Sequence, residues 1–181
     1  MENENDFTPT VIKGPGIFYV GKSFNEELFE ELYFGLQVAF ADNNIQEITI
    51  YINSDGGRID VVLPLYDLIQ ANTKVVRTII LGKACSAAAI LAISGTKGYR
   101  LAYKHSQIML HEASMSGISG KSSQVKETVN DLQHATKLMA EMIEDKTKIS
   151  NKKIKKYFDS NIDYWIYSEE ALKDGIIDKI L

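Results

Sequence analysis

Glu47-Ile48-Thr49-Ile50-Tyr51-Ile52-Asn53, then Ser54-Asp55-Gly56-Gly57, then Ile59 to Gln70: this stretch decides the fold. The first seven residues are rich in β-branched side chains and read as a strand. Asp55-Gly56-Gly57 reads as a tight turn, because paired glycines reach backbone conformations closed to other residues. Ile59 to Gln70 reads as a helix, with Pro64 either kinking it or sitting near its first turn. Strand, glycine turn and helix in direct succession are the signature of α/β layering.

Working outward, the same alternation recurs. Upstream, Ile17-Phe18-Tyr19-Val20 reads as a short buried strand. Ser23-Phe24-Asn25-Glu26-Glu27 reads as a helix start, a polar cap followed by acids, and Asn43-Asn44 stops that helix near Asp42. Downstream, Val75 to Leu81 is an apolar strand ended by Gly82, and Ala84 to Ile93 is a helix of small residues. Tyr99 to Tyr103 and Gln107 to Leu110 read as further strands. A long helix begins at Lys121, with Val125, Val129, Leu132, Met139 and Ile143 on one stripe at spacings of 4, 3, 7 and 4. Arriving late in the chain, it reads as an element projecting beyond the main body. Asn151 to Phe158 is a further helical stretch, and Ser168-Glu169-Glu170 reads as the cap of a last short helix.

Composition excludes several classes. With 181 residues and 45% hydrophobic content, the chain builds a sizeable core and reads as a single domain. A net charge of −4 gives no electrostatic reason to expect nucleic acid as a partner. Cys85 is the single cysteine, so no intramolecular disulfide forms, which is compatible with a reducing compartment. The polar, acidic start Met1 to Phe7 lacks the order of a signal peptide. The most apolar stretch, Ala87 to Ile93, falls far short of the roughly 20 residues of a membrane span. These features predict a soluble, cytoplasmic protein without a membrane partner.

Four motifs invite chemistry. Gly16-Ile17-Phe18-Tyr19-Val20-Gly21-Lys22-Ser23 satisfies the P-loop pattern formally. Its four middle residues are bulky strand formers, whose N–H groups belong in a sheet rather than around phosphate, so it reads as coincidence. Ser86 follows an apolar strand within Gly82-Lys83-Ala84-Cys85-Ser86-Ala87-Ala88-Ala89. A serine at such a junction exposes its hydroxyl near free backbone N–H groups and reads as a nucleophile; a helix cap is the plainer reading. His111 ends the apolar run Ile108-Met109-Leu110 and is a candidate base or a structural histidine. His105 sits in a polar turn and His134 on the long helix. The Gly56-Gly57 turn can aim N–H groups at an anion, as an oxyanion hole requires, or be an ordinary turn.

Taken together these pieces resemble the Clp protease proteolytic-subunit family, over nearly the whole chain from Gly16 to Leu181. The resemblance rests on Ile48 to Gly57, on Tyr66-Asp67, on Ala84-Cys85-Ser86-Ala87 and on Ile108-Met109-Leu110-His111. It is completed by Asp163-Tyr164-Trp165 with Ser168-Glu169-Glu170-Ala171 and Gly175-Ile176-Ile177-Asp178. The intervals from Gly57 to Ser86 and from Ser86 to His111 fit the family. Departures are Asp55 where the family usually has proline, Glu112-Ala113 in place of glutamine-proline, and Ala87-Ala88, which resembles divergent or phage-type members.

The resemblance implies a crotonase-like α/β fold with a projecting handle helix, the handle region covering about residues 112–148. It implies a serine endopeptidase with Ser86, His111 and Asp163 as triad, and Gly57 and Ala87 as oxyanion donors. No metal or cofactor is implied. The implied assembly is a homo-oligomer of stacked heptameric rings, fed with unfolded protein by an AAA+ unfoldase of the Clp type. In the family the N-terminal segment, here 1–15, lines the axial pore. Three rivals stand beside this: a catalytically weak ring subunit, a crotonase-fold enzyme acting on acyl-CoA, and a membrane-associated signal-peptide peptidase pairing Ser86 with a lysine such as Lys83 or Lys97.

Overall fold

The computed structural model describes residues 14–115, 117–158 and 162–181. The 1–15 segment implied to line a pore therefore lies almost wholly outside the described residues. Among the described residues, seven strands form one sheet. Its main path runs β1 (Ile17–Val20), β2 (Glu47–Ser54), β3 (Val75–Cys85), β4 (Arg100–Ala102), β7 (Lys179–Ile180), all parallel. Parallel neighbours require crossovers, and helices supply them: α1 (Glu26–Ala41) leads to β2, α2 (Ile59–Ala71) to β3, and α3 (Ala87–Ile93) to β4. The architecture is the expected α/β layering with a predominantly parallel sheet.

The apolar residues explain the layers. β2 alternates half-buried and buried positions, with Ile48, Ile50 and Ile52 fully inside. α1 sends Leu28, Leu32, Leu36 and Ala39 into the same core, at helical spacing. Asn25 caps α1, accepting the Leu28 amide at 2.9 Å on its side chain. α3 is buried on every side, which is why it consists of small and aliphatic residues alone. Pro64 falls in the second turn of α2 and the helix runs on past it; the missing amide costs one intrahelical bond, that to the Asp60 carbonyl.

β3 departs from the sequence expectation. It does not end at Gly82 but continues to Cys85, and it changes neighbour on the way. Thr78 to Ile80 pair with β4, whereas Lys83 to Cys85 pair with β5 (Gln107–Leu110). Gly82 is the hinge of this change rather than a stop. The β2–β3 register slips between Ile52 and Ser54, and Asn53 Oδ1 accepts the Lys83 amide at 3.2 Å. A Cβ on Gly82 would lie 2.8 Å from that oxygen, so only glycine leaves room for the patch. The helix expected from Ala84 consequently starts three residues later, at Ala87.

β5 is continued by β6 (Tyr164–Tyr167), its antiparallel neighbour. α6 (Ser168–Lys173) follows β6 directly. Ser168 does not cap it, contrary to expectation. Its hydroxyl is turned toward the carbonyls of Tyr103 (2.8 Å) and Ser106 (3.1 Å), fastening the β4–β5 turn instead.

The long helix α4 (Ser122–Lys146) splits its stripe. Ala135, Met139 and Ile143 are buried against α3 and α5 (Asn151–Phe158), while Val129 is 41% exposed. The C-terminal half packs on its own domain and the N-terminal half stands clear of it.

Candidate active site

Ser86 sits where β3 meets α3, in a backbone conformation (φ 53°, ψ −122°) that no other described non-glycine residue approaches. A positive φ at a residue with a Cβ costs on the order of 1–3 kcal/mol and persists only where neighbours impose it. Here they do. The Ser86 amide donates to the Met109 carbonyl at 2.8 Å, and its own carbonyl accepts the amides of Ala89 (2.9 Å) and Ile90 (3.3 Å). Strand pairing fixes one side of the residue, and the first helical turn fixes the other.

Among the described residues two backbone N–H groups at this junction have no hydrogen-bond partner. Ala87 is the first residue of α3, so its amide has no partner within the helix. Gly57 forms a parallel bridge with Phe24, in which the Phe24 amide donates to Gly56 O (2.8 Å) and the Arg58 amide to Phe24 O (2.9 Å). That pattern leaves the Gly57 N–H outside the pairing. Gly56 (φ 91°) brings the turn against the junction: a Cβ there would lie 2.9 Å from Ser86 Cβ and 3.1 Å from the Ala87 nitrogen. Any side chain at this position would push the two donors apart.

His111 follows β5 and Asp163 precedes β6. The register pairs Leu110 with Tyr164, so His111 and Asp163 are the next positions outward on the two strands. Ser86, His111, Asp163 and Gly57 all line one cavity of about 1190 Å³. Among the described residues none of the three side chains hydrogen-bonds another; catalytic contacts of this kind commonly tighten only around substrate. His105 and His134 are exposed and lie outside this lining. Of the acids near Asp163 in sequence, Asp178 binds Arg100 and the Gly98 amide instead, and Asp159 lies outside the described residues.

Neighbours that compete for the nucleophile's role are disabled. Cys85 is buried, and burial first, then the nearby Asp55 charge, push its thiol up to about 11. Little thiolate exists at neutral pH. Lys83 Nζ lies 2.6 Å from Asp55, and the hydrogen bond to that carboxylate raises the ammonium further. A lysine so held stays charged and is unsuited to accept a serine proton. The P-loop-like stretch is no competitor, since Ile17 to Val20 are paired along β2.

Both loop departures have a use. Asp55, where the similar family carries proline, holds Lys83. Ala113, also in place of a proline, has an amide to give, and it donates to Thr136 Oγ1 on α4 at 3.0 Å. This strap joins the segment behind His111 to the helix that forms the opposite cavity wall. The sequence did not reveal that wall: Thr128, Asp131, Leu132, Ala135 and Met139 recur at helical spacing along it. The same spacing was visible as a stripe, but not what the stripe would face. Among the described residues no helix is long and apolar enough to cross a membrane.

Comparison with known proteins identifies the family. The family model described as Clp protease matches residues 2–181. The ATP-dependent Clp protease proteolytic subunit 2 of Thermobifida fusca is 33% identical over 165 residues, 91% of this chain and 80% of its own. The ATP-dependent Clp protease proteolytic subunit of Bacteroides fragilis is 38% identical over 136 residues, 75% of this chain and 64% of its own. That of Borreliella afzelii is 30% identical over 197 aligned positions, spanning 100% of this chain and 98% of its own. With a family match along nearly its whole length and relatives at this identity, the chain belongs to the Clp protease family and is a peptidase.

Proposed function

We propose that this chain is a serine endopeptidase, the proteolytic subunit of an ATP-dependent Clp-type protease that cuts unfolded proteins to short peptides. The observation that carries the reading is the strained Ser86, at the start of α3 and against the Gly56 turn, in a cavity shared with His111, Asp163 and Gly57.

The roles follow from chemical need. Ser86 Oγ attacks the peptide carbonyl, and His111 takes the hydroxyl proton. The oxygen of the tetrahedral intermediate is held by the Gly57 and Ala87 amides, each donor contributing on the order of 3 kcal/mol. Collapse breaks the C–N bond, His111 returns the proton to the leaving amine, and an acyl ester remains on Ser86. Water, deprotonated by His111, then releases the acid and restores the serine. Asp163 keeps the imidazole in the productive tautomer and stabilises its charged form. Every proton is conserved within the cycle, and the reading calls on no metal or cofactor.

The relatives are named as subunits of an ATP-dependent protease, which supports an AAA+ unfoldase as partner and unfolded chains as substrate. Stacked heptameric rings are the assembly we assign, with α4 as the handle between rings and the cytoplasm as the compartment where ATP drives the partner. A serine–lysine mechanism is disfavoured by the Lys83–Asp55 ion pair. A catalytically weak subunit is disfavoured because Asp55, the departure that raised it, is paired with Lys83 while Gly56 packs closely on Ser86 and Ala87. The test is hydrolysis of a fluorogenic peptide by the purified chain together with covalent labelling by a fluorophosphonate. A chain that does neither, while folded, is not a serine peptidase.

A further inference from the structure

The cavity wall opposite Ser86 carries a charge that the mechanism does not use. Asp131 lies on α4, on the face that also presents Leu132, Ala135 and Met139 to the cavity. The other lining acids are accounted for: Asp55 pairs with Lys83, Asp60 pairs with Arg58, and Asp163 stands beside His111. Among the described residues Asp131 has no ion pair and no hydrogen bond. Its helix is tied to the His111 segment at one point. Ala113, two residues after His111, is bonded to Thr136, and Asp131 lies five residues, roughly 7.5 Å along the axis, from that anchor.

A side chain entering this space from a peptide held at Ser86 has on this wall both the apolar Leu132, Ala135 and Met139 and an unpartnered carboxylate. Lysine and arginine have that shape, an aliphatic stem with a charged end. We infer that Asp131 is a specificity-determining residue, which favours lysine or arginine as the residue whose carbonyl Ser86 attacks. The inference rests on the peptidase reading and deepens it by naming a substrate class. Because the carboxylate is exposed to solvent, its effect is that of a partly screened pair: about five-fold in kcat/KM, not thousands.

Three fluorogenic peptides, identical except for lysine, norleucine or glutamate before the scissile bond, test this with the full chain. Norleucine keeps the lysine stem and lacks the charge, so the lysine-to-norleucine ratio isolates the carboxylate. Asp131→Asn should lower that ratio about five-fold, and Asp131→Lys should make glutamate the better substrate than lysine. High salt should shrink the wild-type ratio. Ratios unchanged in both variants, or equal loss of all three peptides in variants that still label with fluorophosphonate, overturn the inference and leave the peptidase reading intact. A folded wild type that neither labels nor cuts any of the three overturns the peptidase reading, and the inference falls with it.

Discussion

The Ser86 amide and the Met109 carbonyl are 2.8 Å apart, so the proposed nucleophile is tied to the strand that delivers His111 two residues later. The pair fixes the backbone at Ser86 in a conformation a serine rarely adopts, and among the described residues the Ser86 hydroxyl makes no hydrogen bond of its own. Mutating the side chain should therefore cost activity and little stability. Ser86→Ala should abolish fluorophosphonate labelling and peptide turnover, with a thermal midpoint within a few degrees of wild type. Cys85→Ser should still label, since the buried thiol at about 11 is not the reacting group. Labelling retained in Ser86→Ala would falsify the assignment.

Asp163 owes its place to the β5–β6 ladder, which sets it across from His111. Asp163→Asn keeps the shape and removes the charge. The expected result is a fall in kcat of about 10⁴ with KM nearly unchanged, as follows when the imidazole loses its orienting acid. Steady-state kinetics on a small peptide measures both. A mild Asp163→Asn beside a crippling Asp159→Asn would move the acid to the earlier residue.

Among the described residues Arg100 and Asp178 form the best-shielded ion pair, at 2.7 Å with the arginine 3% exposed; the guanidinium also donates to the Lys146 carbonyl at the end of α4. Burial alone would push the Asp178 carboxyl up. The hydrogen bonds and charge of Arg100, with the Gly98 amide, outweigh it and hold the group below its ordinary 3.8. A lowered folded-state value means stability that is present above about pH 4 and lost as pH falls through the folded-state value. Asp178→Asn should cost about 3 kcal/mol at pH 7, because it strands a buried guanidinium, and the gap to wild type should narrow below pH 4. Urea unfolding at pH 7 and pH 3 measures it. A gap that widens in acid would contradict the pairing.

The proposed ring assembly bears on the open half of α4. Leu132 lines the cavity, so a charge there would confound assembly with substrate binding. Val129 is exposed and outside the lining, which makes Val129→Glu the cleaner change. If the free half of α4 pairs with its two-fold mate in a second ring, this variant should fall apart into single rings or smaller species. Mass photometry against wild type decides. A wild type monomeric across the micromolar range, yet active on peptides, refutes the ring model.

The strands and helices were legible wherever local pattern governs: β2, α1, α2 and α5 begin and end within a residue or two of where periodicity and caps put them. The failures share a cause, a side chain or backbone group satisfied from far away in sequence. Gly82 read as a stop because nothing local shows that Asn53 will patch the strand across it. Ser168 read as a cap because its true acceptors, Tyr103 and Ser106, lie more than sixty residues upstream. The candidate site was legible as motifs in order, since Gly57, Ser86, His111 and Asp163 do meet in one cavity. Its far wall was not, because a helical stripe announces burial and does not say which stretch will stay open to form a binding surface. Asp131, three residues from Thr128 and four from Ala135, interrupts that stripe as an apparent blemish.

α4 is a cantilever. Its last turns are clamped by the burial of Met139 and Ile143, its first turns hang free, and the Ala113–Thr136 bond sits near the fulcrum. In a beam held this way the direction of the free end and the width of the gap at the clamp are one variable. A neighbour bearing on Val129 would act at Thr136 and, through its bond to Ala113, on the chain that carries His111.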